Sequence, residues 1–147
     1  MSKWRARALE MFPHMRAEVE SAESVGALWI ELMLRLDRLY SADSNVVAQD
    51  RANLFRAVYL YATWCMGSES PMTQEVAAIE FYDLPRFALQ RPGSVYKDFI
   101  QDLVANLPFR EIEKMCGCLQ PGEQKRFLAD VRQAEDERRR RSQKRSG

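Results

Sequence analysis

An all-α fold is predicted from three features of the sequence: one compact domain of roughly six to eight helices around a buried central helix. Apolar residues recur at intervals of three and four along most of the chain. No segment shows the sustained alternation of a strand bounded by hairpin turns. And after Arg56, ten consecutive residues, Ala57 to Met66, carry no charge and are mostly large and apolar or aromatic. A helix that is apolar nearly all round is one buried among others, so residues 46–66 are expected to form the centre. The 147 residues suit one domain.

Trp4, Ala8, Leu9 and Phe12 predict a short helix over 3–12. Pro13 interrupts it and is suited to the first position of a second short helix, 13–21, with Met15 and Val19 inward. His14 opens that helix, with Glu18 one turn ahead, where an i, i+4 contact is natural. Ser24 is a good N-cap for the clearest amphipathic helix, 25–41. Its inward stripe is Val25, Leu28, Trp29, Leu32, Leu36, Leu39 and Tyr40. Residues 41–45 carry turn chemistry, and Ser44 or Asn45 is expected to cap the central helix.

Within the central helix, Leu54, Val58, Tyr61 and Cys65 make one inward stripe; Phe55, Tyr59, Ala62 and Met66 make a second beside it. Gly67 follows as a left-handed C-terminal residue. Pro71 restarts a helix capped by Ser70, with Met72, Val76, Ile79 and Leu84 as its apolar positions. Pro85 is expected to end that helix, leaving 86–93 as a connection. Ser94 caps a helix over 95–106, with Val95, Phe99, Ile100, Leu103 and Leu107 inward. Pro108 opens another (Phe109, Ile112, Cys116, Leu119). Pro121 opens the last (Phe127, Leu128, Val131, Ala134). Beyond Glu135 there is no large apolar residue. Residues 1–137 are therefore read as the helical domain and 138–147 as a disordered basic tail.

The net charge of +1 hides two opposed parts. Arg138, Arg139, Arg140, Arg141, Lys144 and Arg145 have no acidic neighbour after them. Setting those six aside leaves 16 basic against 21 acidic residues, a net of −5 for residues 1–137. An acidic body suits a basic partner, and the basic tail suits phosphate.

Enzymatic constellations are sparse. His14 is the single histidine, so a nucleophile–histidine pair would have to use it. Cys116-Gly117-Cys118 has the wrong spacing for a zinc pair, and no second pair exists. Cys65 and Cys116 fall on apolar stripes and are expected to be buried. No Walker or dinucleotide fingerprint occurs. Glu75, Glu80 and Asp83 are the carboxylates that would serve a small hydrolase, and equally the acidic groups that would meet a basic partner. No cofactor or metal is expected. The odd number of cysteines, the charged start and the lack of a long apolar run place the chain in the cytoplasm, with no membrane association.

Four stretches carry a family resemblance: Leu9-Glu10-Met11-Phe12-Pro13, Leu28-Trp29-Ile30-Glu31-Leu32, Tyr59-Leu60-Tyr61-Ala62-Thr63-Trp64-Cys65 and Phe81-Tyr82-Asp83-Leu84-Pro85. Over about residues 8 to 120, the chain resembles an uncharacterised family of small all-helical bacterial proteins. The resemblance implies an immunity or accessory protein of a toxin system, and it carries over no functional residue.

The expectation is thus a non-enzymatic protein-binding module, with an immunity protein that neutralises a bacterial toxin as its specific form. Glu75, Glu80 and Asp83 are its candidate partner-binding residues. The alternatives are a nucleic-acid accessory protein acting through Arg138 to Arg145 and a carboxylate-dependent hydrolase.

Overall fold

Hydroxyl caps and prolines set many of the helix boundaries in the computed structural model, which describes residues 1–41 and 47–146. The element order is α1 (Lys3–Met11), a 3-10 turn (Pro13–Met15), α2 (Arg16–Ser21), α3 (Val25–Leu39), α4 (Ala48–Met66) and α5 (Pro71–Tyr82). Then follow α6 (Leu84–Leu89), α7 (Gly93–Asn106), α8 (Phe109–Met115), a second 3-10 turn (Cys116–Cys118) and α9 (Pro121–Ser146). The described residues contain no strand, so the fold is all-α. None of their helices is long and apolar enough to cross a membrane. They group into two compact units, Met1–Phe81 and Tyr82–Gly147.

In the first unit, Ser24 caps α3 by accepting a hydrogen bond from the Ala27 amide at 3.1 Å, which satisfies one of the four free donors at the helix start. The predicted α3 stripe is buried at Val25, Leu28, Trp29, Leu32, Leu36 and Tyr40, with Leu39 half-buried. Met15 and Val19 are buried as the spacing predicts. Arg5 ties α1 to the segment before α3: its guanidinium donates to the carbonyls of Val19 and Ala22 and lies over the Trp4 ring.

Helix α4 packs against α1 and α3. Phe55, Val58, Tyr61, Ala62 and Cys65 are buried, whereas Leu54, Tyr59 and Met66 are half-buried. The helix is not dry all round: Asn53, Arg56, Leu60 and Thr63 form an exposed strip at helical spacing. Its first described position is Ala48, with Val47 before it in extended backbone; the caps expected at Ser44 or Asn45 lie outside the described residues. Gly67 does end the helix, but at φ −88° and ψ 0°. No left-handed residue is present among those described, so ordinary right-handed backbone closes this turn.

Tyr61 is the hub of this unit. Trp29 lies against it at 5.6 Å between ring centroids, Trp64 stacks at 6.0 Å, and Phe12 meets it edge-on at 5.5 Å. Its hydroxyl donates to the Trp4 carbonyl at 2.9 Å. One side chain of α4 therefore touches groups from α1, the residue after α1, and α3.

Ser70 caps α5, accepting from the Thr73 amide at 3.4 Å. The inward face of α5 is Thr73, Ala77 and Phe81. Of the apolar positions named for this helix, Met72 and Ile79 are exposed and Val76 is half-buried. Two small residues let the backbone approach closely, and Phe81 fills the end of the stripe against Tyr59, 5.8 Å between centroids.

In the second unit, Pro85 opens α6 instead of closing α5. Proline is tolerated in a first helical turn because the amide it lacks would be unpaired there. The connection expected over 86–93 is therefore half helical. Helix α7 begins at Gly93, so Ser94 lies inside it and not at its cap. Val95, Phe99, Ile100, Leu103 and Leu107 are buried as predicted. Ile112, Met115, Cys116 and Leu119 carry α8 and the turn after it into the core. Helix α9 packs on α7 through Phe127, Val131 and Ala134.

The greatest departure is at the end of the chain, where α9 continues to Ser146 and residues 138–146 are helical. Apolar burial does not hold these turns. Contacts of Glu135 and Asp136 with Arg139, and of Glu137 with Arg141, span them at 3.9 Å. Each such pair adds a few tenths of a kcal/mol, about 0.2–0.5. Lys144 and Arg145 complement the negative end of the helix dipole, and Arg, Gln, Glu and Lys are good helix formers.

The Tyr61 hub makes a graded prediction. Tyr61→Phe removes one hydrogen bond and keeps the stacking, so urea denaturation should show a loss of about 1 kcal/mol. Phe55→Ala empties a buried site and should cost about 3–5 kcal/mol.

Candidate functional site

The outer face of α5 joins two residue classes that the sequence reading kept apart. At 3.6 residues per turn, Met72, Val76 and Ile79 fall on one strip of the helix. Met72 is 66% and Ile79 60% exposed. Glu75 lies along one flank of that strip and Glu80 along the other; Glu75 is exposed and Glu80 half-buried. Scattered exposed apolar residues are ordinary. An apolar strip with a polar rim on both sides has the anatomy of an interface.

The same geometry separates the carboxylates as chemical groups. Five residues apart, Glu75 and Glu80 point about 140° apart around the axis, so they do not converge on one reacting atom. Asp83 stands beyond the helix, in the turn before α6, and pairs with Arg86 at 3.3 Å.

A second surface lies on α9. The positions that face α7 are Phe127, Val131 and Ala134; the spacing of four and three continues through Arg138, Arg141 and Arg145. These arginines border a cleft of about 680 Å³ shared with Gln101, Val104 and Ala105 of α7. Arg139 borders the cleft as well, whereas Arg140 and Lys144 lie on other sides of the helix. The sequence showed the charge of this run; its ordering into a face became visible only once the segment proved helical.

The remaining nucleophilic and ligating residues are scattered. His14 is exposed. Glu18 pairs with Arg35 across the α2–α3 contact at 3.0 Å, in place of the expected turn-to-turn contact with His14. Among the described residues, no group of three or more His, Cys, Asp and Glu side chains could hold a metal ion.

Cys65 and Cys116 are buried and Cys118 is exposed; all three thiols are free. Burial pushes the Cys65 thiol up to about 11, weakly opposed by the neighbouring Tyr61 hydroxyl and Trp29 indole. The Cys116 thiol is raised first by burial and then by the carboxylate of Glu113. These two are packing residues with little thiolate at neutral pH. Trp29 and Tyr61 belong to a buried aromatic cluster, in which the Trp29 Nε1 makes no conventional hydrogen bond. Comparison of the chain with protein-family models, curated proteins and solved structures found no match.

The thiols provide two measurements. A thiol reagent at neutral pH should modify Cys118 rapidly, with Cys65 and Cys116 reacting only on unfolding; fast modification of all three would contradict their burial. Alkaline pH should weaken the fold through Cys65. Unfolded, this thiol ionises near its ordinary 9.0; folded, near 11. The unfolded chain thus binds fewer protons between those values, and stability falls across that window. A Cys65→Ala variant should show a shallower fall in urea midpoint between pH 9 and 11.

Proposed function

We propose that this chain is a non-enzymatic protein-binding module that docks a cationic partner protein on the outer face of α5. The exposed strip Met72-Val76-Ile79, rimmed by Glu75 and Glu80, carries the reading. Apolar side chains at the centre of such a face supply the desolvation that holds a complex. Charged rims steer approach and select the sign of the partner. The net charge of −5 over residues 1–137 favours a basic protein over an acidic one.

The specific form of this reading is an immunity protein that occludes a basic toxin domain such as a nuclease. It follows from the family resemblance and from the charge of the body. The free, exposed thiol of Cys118 supports a reading in which the protein works in a reducing compartment such as the cytoplasm.

A Met72→Asp/Ile79→Asp variant tests the surface without endangering the fold, because exposed substitutions change stability by about 0.5 kcal/mol or less. Affinity purification from the native cell, with wild type and variant side by side, should recover a basic protein with the wild type alone. Its capture should weaken as salt rises. Equal recovery by both forms would move the interface away from α5. Recovery of an acidic partner would contradict the charge argument.

A further inference from the structure

We propose that the last turns of α9 are a binding surface for the phosphate backbone of a nucleic-acid duplex, formed by Arg138, Arg141 and Arg145. The inference is independent of the α5 face, which lies in the other compact unit.

The observation is a change of chemistry along a single stripe. Phe127, Val131 and Ala134 are buried against α7; the next positions in the same spacing are arginines, all exposed. Helical rise sets Arg141 about 4.5 Å beyond Arg138, and Arg145 about 6 Å beyond Arg141. Each strand of a duplex presents a phosphate about every 3.4 Å of axis, within the range three long side chains on one face can follow. Arg138 and Arg145 make no ion pair among the described residues. Arg141 meets Glu137 at 3.9 Å, an exposed contact that a phosphate readily displaces.

Three further features select the ligand. Five of the six basic residues after Glu137 are arginine, whose planar fork matches phosphate bidentately. No aromatic residue lies in this stretch to stack an unpaired base, which favours a duplex over a single strand. A lipid surface would need apolar side chains beside the cations, and those of this stripe are already buried under α7. Contacts to phosphate carry no base identity, so recognition by this arginine face is by backbone and independent of sequence.

The test measures binding of full-length protein to a fluorescein-labelled duplex, by anisotropy, over a range of salt. Three variants compare face with charge. The on-face triple is R138Q/R141Q/R145Q, and the off-face triple, K125Q/R140Q/K144Q, changes exposed positions of α9 outside the cleft and loses the same charge. The third, R138K/R141K/R145K, keeps charge on the face. Three contacts at about 0.9 each should lower the slope of log affinity against log salt by about 2.7 in the on-face triple. The off-face triple should lose less than about 1, and the lysine variant should retain the wild-type slope.

Equal losses in both glutamine triples would reduce the effect to net charge and overturn the proposal. So would tighter binding of the wild type to single strands, to polyglutamate or to phosphatidylserine-containing vesicles. No binding to the duplex at low salt would do the same.

Discussion

The first unit depends on keeping Tyr61 dry while its hydroxyl stays satisfied. The side chain is fully buried, and an unpaired phenol there would cost about 1–3 kcal/mol. The Trp4 carbonyl removes that cost, and Trp4 is held in turn by the start of α1, which Arg5 fastens to the Val19 and Ala22 carbonyls. Burial also drives the phenol far above its ordinary range, so the group stays a neutral donor. Packing and polar satisfaction are thus met by one residue. Phe12, Trp29 and Trp64 supply the apolar contact, and the α1 backbone supplies the acceptor.

The second unit uses the same device once more. Tyr96 is buried on α7, and its hydroxyl donates to Asp130 of α9 at 2.7 Å. Arg126 lies over the Tyr96 ring and also reaches Asp130, at 3.8 Å. Phe127 and Val131 bracket that polar contact with buried apolar contacts on the same helix. The early turns of α9 are therefore fixed in rotation about their axis. That rotation decides which later residues share the side of α7, and so makes a face out of Arg138, Arg141 and Arg145 instead of a diffuse charged run.

The sequence was most readable where hydrophobicity and burial coincide. In α3 the stripe is large, regular and preceded by a serine cap, and its buried positions match the spacing almost residue for residue. In α5 apolar content and burial part company. Met72, Val76 and Ile79 are the more apolar residues, but Thr73 and Ala77 are small enough to let the helix approach its neighbours, and Phe81 anchors the end. Residue size decided the face, and tertiary packing overrode apolar content. Pro85 and residues 138–146 misled for a related reason. A proline is read as a stop, although a first turn accepts it. A run without apolar residues is read as disorder, although ion pairs four apart and the helix dipole sustain it. The candidate acidic residues were visible from composition alone. The apolar strip between them was hidden because apolar spacing alone does not say which face of a helix is buried.

Both surfaces arise from one principle applied to opposite outcomes. A helix in a small α-fold has more apolar or charged surface than its neighbours cover, and its inward face fixes what the outer face must present. On α5, small inward residues release larger apolar ones to solvent, an arrangement that exposes hydrocarbon at a cost of about 25 cal/mol for every Å² left wet. Core packing does not explain retaining Met72 and Ile79 there, since polar residues would serve the fold at least as well. On α9, the stripe that packs on α7 changes from apolar to cationic along the helix, and Arg138, Arg141 and Arg145 border a cleft with Gln101, Val104 and Ala105 of α7. Both places are ones where the sequence remains patterned although core packing does not require it.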